Sequence, residues 1–457
     1  MTRRLGSTCG KNNSRDFWRA LKGGPAIETI RIPVQYEDLT DGLMKHRIEE
    51  RPILDPHSVI HFLFETAQLK IPPAHVQQYW RHHAECGEEW AQDPSTHQMI
   101  PLGIFGDSAR VSTQFGSVNI VGIFMSIVLF RPHSVRWSRF LLFSIGEHEL
   151  WKHHTLNTVY RRLTFSFNCL FEGVHPRFDQ YGHQLPPHLE KNAGKPITSD
   201  RQCFCVTEVR GDWSWHKKVW RFEKTSWTGV RVCHWCPAKS KGAWPELYWN
   251  LTEQSCWHNG NFTLGEFIEQ RLPSMGICPL LELKNFKPSC IRWCLMHVVH
   301  LGLLFRVNGS AVNLLLRAGV FGDPESESRS LLLARAYQQF KRFCRDKRIP
   351  CSQSPFKENT VYKKDGDISF TLKAYNGRCV LAWLSDAVYE ASLNPMQAAI
   401  DERFHLITCA LRHLARFLGL VEAHGRYLNL GCNNAGHGKP KRATNIQNPK
   451  VPQSNSQ

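Results

Sequence analysis

An α/β fold, with a mixed β-sheet core and a helical, Cys/His-containing insertion, is predicted by three observations. Apolar runs of strand length recur between residues 100 and 145 and again at 203–209. A single helix-length amphipathic stretch, 155–171, separates the last of these runs from the others. From about residue 295 the pattern changes to long segments of helical period.

Taken in order, residues 1–25 are basic and polar and are expected to lack order. Residues 26–98 read as a helical N-terminal region. Pro56-His57-Ser58 resembles a cap ahead of an apolar run, and 76–91 carries aromatic residues at helical spacing. The period then changes. Residues 100–105 predict a strand ending at Gly106-Asp107, and 123–130 and 139–145 predict two more. In 155–171, Leu156, Val159, Tyr160, Leu163, Phe167 and Leu170 recur at helical spacing. Residues 173–198, rich in Pro, Gly and His, predict a loop. Residues 203–209 predict a fourth strand, which ends at Gly211-Asp212.

Strand, strand, strand, helix, strand, with an aspartate closing the first and fourth strands, is the order of a ribonuclease-H-like core. Its span here is 99–228, and its mixed sheet sets those two strand ends side by side. Residues 229–432 form the expected insertion region, first Trp- and Cys-rich, then helical over 295–316, 330–346, 376–391 and 396–420. Residues 433–457 collapse to Gly, Asn, Lys, Pro, Ser and Gln and predict a disordered basic tail.

With 42% apolar and 11% aromatic residues, the 457-residue chain has the composition of a globular protein. Its net charge of +17 favours polyanions, nucleic acid foremost. Sixteen cysteines sit in a chain whose start, Met1-Thr2-Arg3-Arg4-Leu5-Gly6, leads into polar sequence rather than an apolar leader, so a reducing compartment is expected. The longest apolar run, 118–130, is too short to span a bilayer, so no membrane partner is expected. Walker-type loops, kinase signatures and the Gly-x-Ser-x-Gly elbow are missing from the sequence.

Two-metal phosphoryl transfer needs carboxylates that hold hard cations close together, and Asp107 and Asp212 are the candidates at strand ends. The competing reading of each Gly-Asp pair is a turn. Cys233 and Cys236, in Cys233-His234-Trp235-Cys236-Pro237, have the spacing of a zinc knuckle. His297 and His300, one helical turn apart, are the expected partners, with His297 preferred; Cys256, His258, Cys290 and Cys294 compete. A buried cysteine pair and a redox motif are the alternatives. Around Trp213 to Trp227, Lys217, Lys218, Arg221 and Lys224 interleave with aromatic rings, a pattern suited to phosphates and stacked bases, and equally to a solvated helix face with an aromatic core side.

The array resembles the RNase H-like DDE/D transposases of eukaryotic cut-and-paste elements, particularly the transposon-derived proteins of dinoflagellate genomes. The matching pieces are 101–107, Gly211-Asp212-Trp213, Cys233-His234-Trp235-Cys236-Pro237-Ala238 and Leu295-Met296-His297-Val298-Val299-His300-Leu301-Gly302, spread over roughly 50–420. The resemblance implies that Asp107 and Asp212 are the first two catalytic acids on Mg2+ or Mn2+, that Cys233, Cys236 and His297 form the insertion motif, and that the partner is DNA. It further implies a nuclear protein, compatible with a homo-oligomer. His300 stands where the family commonly has an acid. The third acid has no match: Asp386, Glu390 and Asp401 lie on predicted helices outside any family motif, which points to a truncated or decayed copy. Two functions are therefore expected in competition, a transposase-derived DNA-binding protein with a strand-cleavage core and a non-catalytic, zinc-containing nucleic-acid-binding or scaffold protein.

Overall fold

The computed structural model describes residues 24–423 except 39, 114–115, 133–137, 223–224, 226–228, 258–259, 274–275, 364–365 and 402–403. The expected disorder at both chain ends lies outside the described residues, apart from Gly24 and Pro25. The chain divides into two compact units, Met1–His297 and Val298–Gln457.

The first unit opens with an antiparallel hairpin, β1 (Glu28–Glu37) and β2 (Met44–Ile53), not with the helix expected there. The reason lies in β1's period: Ile30, Ile32 and Val34 are buried at every second position, a strand signature with β-branched side chains facing inward. Helix begins only at α1 (Pro56–His61), which runs on into a π-helical turn, Phe62–Thr66. The next helix, α2 (Pro73–Glu85), buries Val76, Tyr79 and Trp80 on one face.

A five-stranded sheet follows, in the order β5-β4-β3-β6-β7. Its strands are β3 (Ile100–Thr113), β4 (Gly116–Ile127), β5 (Phe140–Gly146), β6 (Phe204–Gly211) and β7 (Ile291–Trp293). The first three pair antiparallel; β6 lies parallel to β3, and β7 parallel to β6. Between β5 and β6 runs α3 (His154–Glu172), with Leu156, Val159, Tyr160, Leu163, Phe167 and Leu170 buried as their spacing predicts. It stops at Gly173, whose φ of 74° is a left-handed cap that a side chain would strain. Arg162 of α3 reaches Asp55, the residue before α1, with two hydrogen bonds of 2.8 and 2.5 Å; Asp55 is fully buried. Two helices, α4 (Trp213–Trp220) and α5 (Leu264–Arg271), lie between β6 and β7 in the chain.

Several boundaries differ from expectation: β4 covers Gly116–Ile127 rather than 123–130, and the long α-helices expected from 295 and 396 begin at Leu304 and Phe404. β3 does not end at Asp107; it continues to Thr113, because the polar residues after Asp107 pair with β4 as far as Thr113↔Gly116. The fifth strand, β7, lies within the segment assigned to the insertion, and three residues are too few to leave a periodic signal.

Within the second unit, α6 (Leu304–Arg317), α7 (Arg329–Asp346), α8 (Ala374–Ser392) and α9 (Phe404–Ala423) surround one core. Met296–Arg317 and Phe404–Ala423 are long and apolar enough to cross a membrane by length and composition. Here Leu304, Val312 and Leu315 from one, and Phe404, Leu411 and Leu418 from the other, belong to the unit's core.

Three histidines pack together beside α1 and α3. His57 Nδ1 lies 2.7 Å from Ser166 Oγ and His61 Nδ1 2.8 Å from the Ile197 carbonyl, while the His175 ring meets both in edge-to-face contact. Burial pushes His57 below its ordinary value and His175 down to about 4. The folded state therefore binds fewer protons than the unfolded one, so stability is complete above the unfolded pKa near 6.5 and is lost as pH falls toward 4. His175 alone is expected to remove about 2 kcal/mol between pH 7 and pH 5. Urea unfolding at the two pH values measures this, and His175→Gln should flatten the dependence; a midpoint that does not move with pH in the parent chain would refute it.

Candidate functional site

The two Gly-Asp pairs lie on adjacent parallel strands. β3 and β6 are in register at Ile104↔Val209 and Phe105↔Arg210, and both Gly-Asp pairs directly follow the last of these pairs. Side chains in register on parallel neighbours share a face. Asp212 also ends β6 and caps α4: its Oδ1 accepts from the Trp215 N–H at 2.6 Å. Asp107 Oδ1 accepts from the Ser108 N–H at 2.8 Å.

Neither glycine is there for a turn. A Cβ on Gly106 would fall 1.8 Å from Cε2 of Trp215, and one on Gly211 would fall 2.3 Å from Cε3 of the same indole. Trp215, 2% exposed, thus lies flat against both strands directly before their aspartates. The cap bond and the ring fix Asp212 from two sides, and the same ring braces the backbone that leads to Asp107.

Asp107 is half-buried, and its carboxyl is raised, chiefly by burial, with the Asp212 carboxylate adding to the shift. The Ser108 N–H, His297 and Arg139 act in the opposite sense. His297 follows β7 by four residues, and its Nδ1 is buried with no hydrogen-bond partner among the described residues. His297 acts electrostatically on Asp107, and among the described residues no group containing Cys233, Cys236 and His297 is arranged to hold a metal ion. β7 ends beside the Asp212 end of β6 (Gly211↔Trp293), four residues before His297. His300 belongs to the other unit, where burial lowers its pKa and Arg378 lowers it further.

Glu208 shares the face of Asp212, but four residues of strand, about 13 Å, separate them. It is buried, its carboxyl is raised by burial, and it is ion-paired with the intervening Arg210. It cannot serve as a third acid at the strand ends. Among the described residues, no group of three or more His, Cys, Asp or Glu side chains is arranged to hold a metal ion. Asp107 and Asp212 suit one hard divalent cation by donor chemistry, each keeping one carboxylate oxygen clear of the backbone bond it accepts. A pair of cations needs more oxygen ligands than these two supply.

The cysteine pair is a shaped turn. Arg271 of α5, 1% exposed, donates to the Cys233 carbonyl from Nε and to the Cys236 carbonyl from Nη2, both at 2.8 Å. The Trp235 N–H points at Cys233 Sγ at 3.3 Å. The hydrogen bond from Cys236 holds the Cys233 thiol down at about 6, while Cys236 is pushed up as the proton-bearing partner. Cys256 is the other cysteine whose charge reaches both. Cys290 is fully buried beside Cys205 instead, and His258 lies outside the described residues. Two thiolates at this spacing are half of the four donors that a tetrahedral zinc takes. His234, between the cysteines, is fully buried against Phe222, Trp235 and Trp293, and neither ring nitrogen makes a well-formed hydrogen bond.

The basic-aromatic segment is mostly core. Trp215 and Trp220 are buried, and Trp213 stacks between Phe222 and Trp293. His216 is neutral: Nε2–H donates to the Arg292 carbonyl at 3.1 Å, and Nδ1 accepts from Trp220 Nε1 at 3.2 Å. Burial holds it down at about 4. Lys217 and Lys218 are exposed, Lys218 in an ion pair with Glu147; Arg221 is half-buried against Gly276, and Lys224 lies outside the described residues. Solvent-facing rings lie elsewhere, among them Trp244, Tyr248 and Trp249, each about half exposed, which their polar flanks only partly signal.

Compared with known proteins, the chain matches no family model, and no curated protein matches it.

Two outcomes are expected at this site. Gly106→Ala should destabilise the chain by more than the 1–3 kcal/mol typical of overpacking, about 3 kcal/mol or above, and most of that cost should vanish in a Trp215→Ala background; equal costs in both backgrounds, read by urea unfolding, would remove Trp215 as the cause. Alkylation of Cys233 should follow a titration near pH 6, moving toward the ordinary thiol range in Cys236→Ala. Peptide mapping after iodoacetamide at graded pH reads this, and an unshifted midpoint in the variant would exclude the Cys236 hydrogen bond.

Proposed function

We propose that this chain is a transposase-derived DNA-binding protein whose Asp107/Asp212 sheet end is a phosphoryl-transfer site of ribonuclease-H-like descent. One observation carries the reading: two Gly-Asp pairs directly follow the last in-register pair, Phe105↔Arg210, of adjacent parallel strands, and the Asp212 carboxylate acts on Asp107, in a sheet ordered β5-β4-β3-β6-β7 with the first three strands antiparallel and a helix before the fourth. The positive charge of the chain, +17, supports a polyanionic partner.

In this reading Asp107 and Asp212 hold Mg2+ or Mn2+, which when bound supplies a Lewis acid for the scissile phosphate. The protein's own contribution is positional. Trp215 braces the two strands, the Asp212 cap fixes one carboxylate, and burial with the neighbouring charge raises Asp107, so that a cation relieves the repulsion between them. His297 acts electrostatically on Asp107. Cys233 and Cys236 take a structural zinc, in a nuclear protein.

A second reading, a non-catalytic zinc-containing nucleic-acid-binding or scaffold protein, is favoured by one observation: no third acid joins the pair among the described residues. Magnesium-dependent nicking of supercoiled DNA separates the two. The first reading expects nicking that falls at least about a hundredfold in Asp107→Ala and in Asp212→Ala, with DNA binding kept. Binding without nicking in the parent chain would establish the second.

A further inference from the structure

The helical unit holds a concentration of charge that the sheet-end site does not use. Lys341, Arg342, Arg345, Lys347 and Arg348 are all exposed, and Asp346 is the one acid within that run. Gln338, Lys341, Arg345 and Arg348 recur at helical spacing on and just beyond α7, and with Arg342 they line a cleft of about 850 Å³.

Several cations elsewhere in this unit are matched, whereas Arg317, Lys357, Lys373 and Arg416 are scattered singly rather than gathered in a cleft. Arg306 pairs with Asp367, Arg335 with Glu327 and Arg378 with Glu422, while Arg329 and Arg412 lie over the rings of Tyr362 and Tyr389 at 4.2 and 4.1 Å. In the cleft, the ion pair is Arg345 with its chain neighbour Asp346 at 3.2 Å, both well exposed. Such a solvent-screened pair contributes little. No carboxylate pairs with Lys341, Arg342 or Arg348 among the described residues. A helix C-terminus welcomes cations, but that effect fades within the last turn, and Arg348 lies past it. Arg348 also holds φ at 54°, a left-handed conformation that glycine would adopt at less cost.

We propose that this cleft binds the sugar–phosphate backbone of duplex DNA, with Lys341, Arg342, Arg345 and Arg348 neutralising phosphates. The inference rests on DNA being the partner, and it adds the surface that holds it. Guanidinium groups fit phosphate oxygens as forks, and no aromatic ring lines the cleft among the described residues to stack an unpaired base. An anionic membrane fits less well, since it needs an apolar helix face to insert; on α7 that face, Leu332, Leu333, Ala336 and Phe340, is buried in the core.

The test uses the full chain and a fluorescent DNA duplex, with affinity followed by anisotropy across a potassium chloride series. Each neutralised phosphate adds about 0.9 to the salt slope. Replacing Lys341, Arg342, Arg345 and Arg348 together by Gln should therefore weaken binding at least about tenfold and reduce that slope by roughly 3 to 4. The control Lys70→Gln, Arg81→Gln, Lys195→Gln, Arg201→Gln removes the same charge from exposed sites elsewhere and should leave most of the slope. Arg348→Gly relieves backbone strain, so it should keep or raise stability while lowering the slope by about one. An unchanged slope in the quadruple variant, or an equal loss in the control, overturns the cleft while leaving the strand-cleavage reading intact. Stronger binding to phosphatidylserine vesicles than to DNA, lost in the same variant, also overturns it. If the parent chain binds no duplex, DNA is not the partner and both readings fall. Asp107→Ala with Asp212→Ala should abolish nicking and leave affinity and slope in place.

Discussion

The packing of one indole against two glycines organises the sheet end. Trp215 reaches back from the first turn of the helix after β6 and covers the backbones of Gly106 and Gly211 at once, so two strands, a helix start and two carboxylates share one contact. The contact survives an internal penalty, because Trp215 Nε1 is buried with no hydrogen-bond partner among the described residues. Leaving such a donor unsatisfied costs about 1–3 kcal/mol, whereas truncating a buried tryptophan costs about 3–5 kcal/mol. Packing wins, and the glycines are the condition for it.

That balance also explains what could and could not be read from sequence. The helix at 154–172 and the strands at 100, 123, 140 and 204 announce themselves because each has one buried face and a regular period. The β1–β2 hairpin was legible in Ile30, Ile32 and Val34, yet the polar residues of β2 masked it. The extension of β3 past Asp107 has no apolar signal, since only pairing with β4 defines it. The Gly-Asp pairs stand out in the sequence, but not for the turn chemistry that glycine suggests. Each glycine makes room for a ring from a distant turn, which spacing alone does not show.

The same limit applies to the site's histidine. His297 and Cys233 are apart in sequence, and nothing in their spacing tells which group each faces. The three-residue strand Ile291–Trp293 carries the chain to the aspartate end of the sheet, four residues before His297. Likewise, the tryptophans between 213 and 220 look like a basic stacking surface until their burial is known, and the cations at 341–348 sit in plain view as one of the densest basic runs of the chain.

Arg271 has a thermodynamic consequence for the cysteine turn. Its guanidinium ties both cysteine carbonyls into one loop from within the protein, so the loop's shape is held by hydrogen bonds rather than by whatever ion the sulfurs take. An ion that enters there meets ligands whose ordering entropy has already been spent in folding. Were an ion bound there, its removal would leave a loop that the Arg271 hydrogen bonds still hold, so chelation would be a reversible local event rather than an unfolding one.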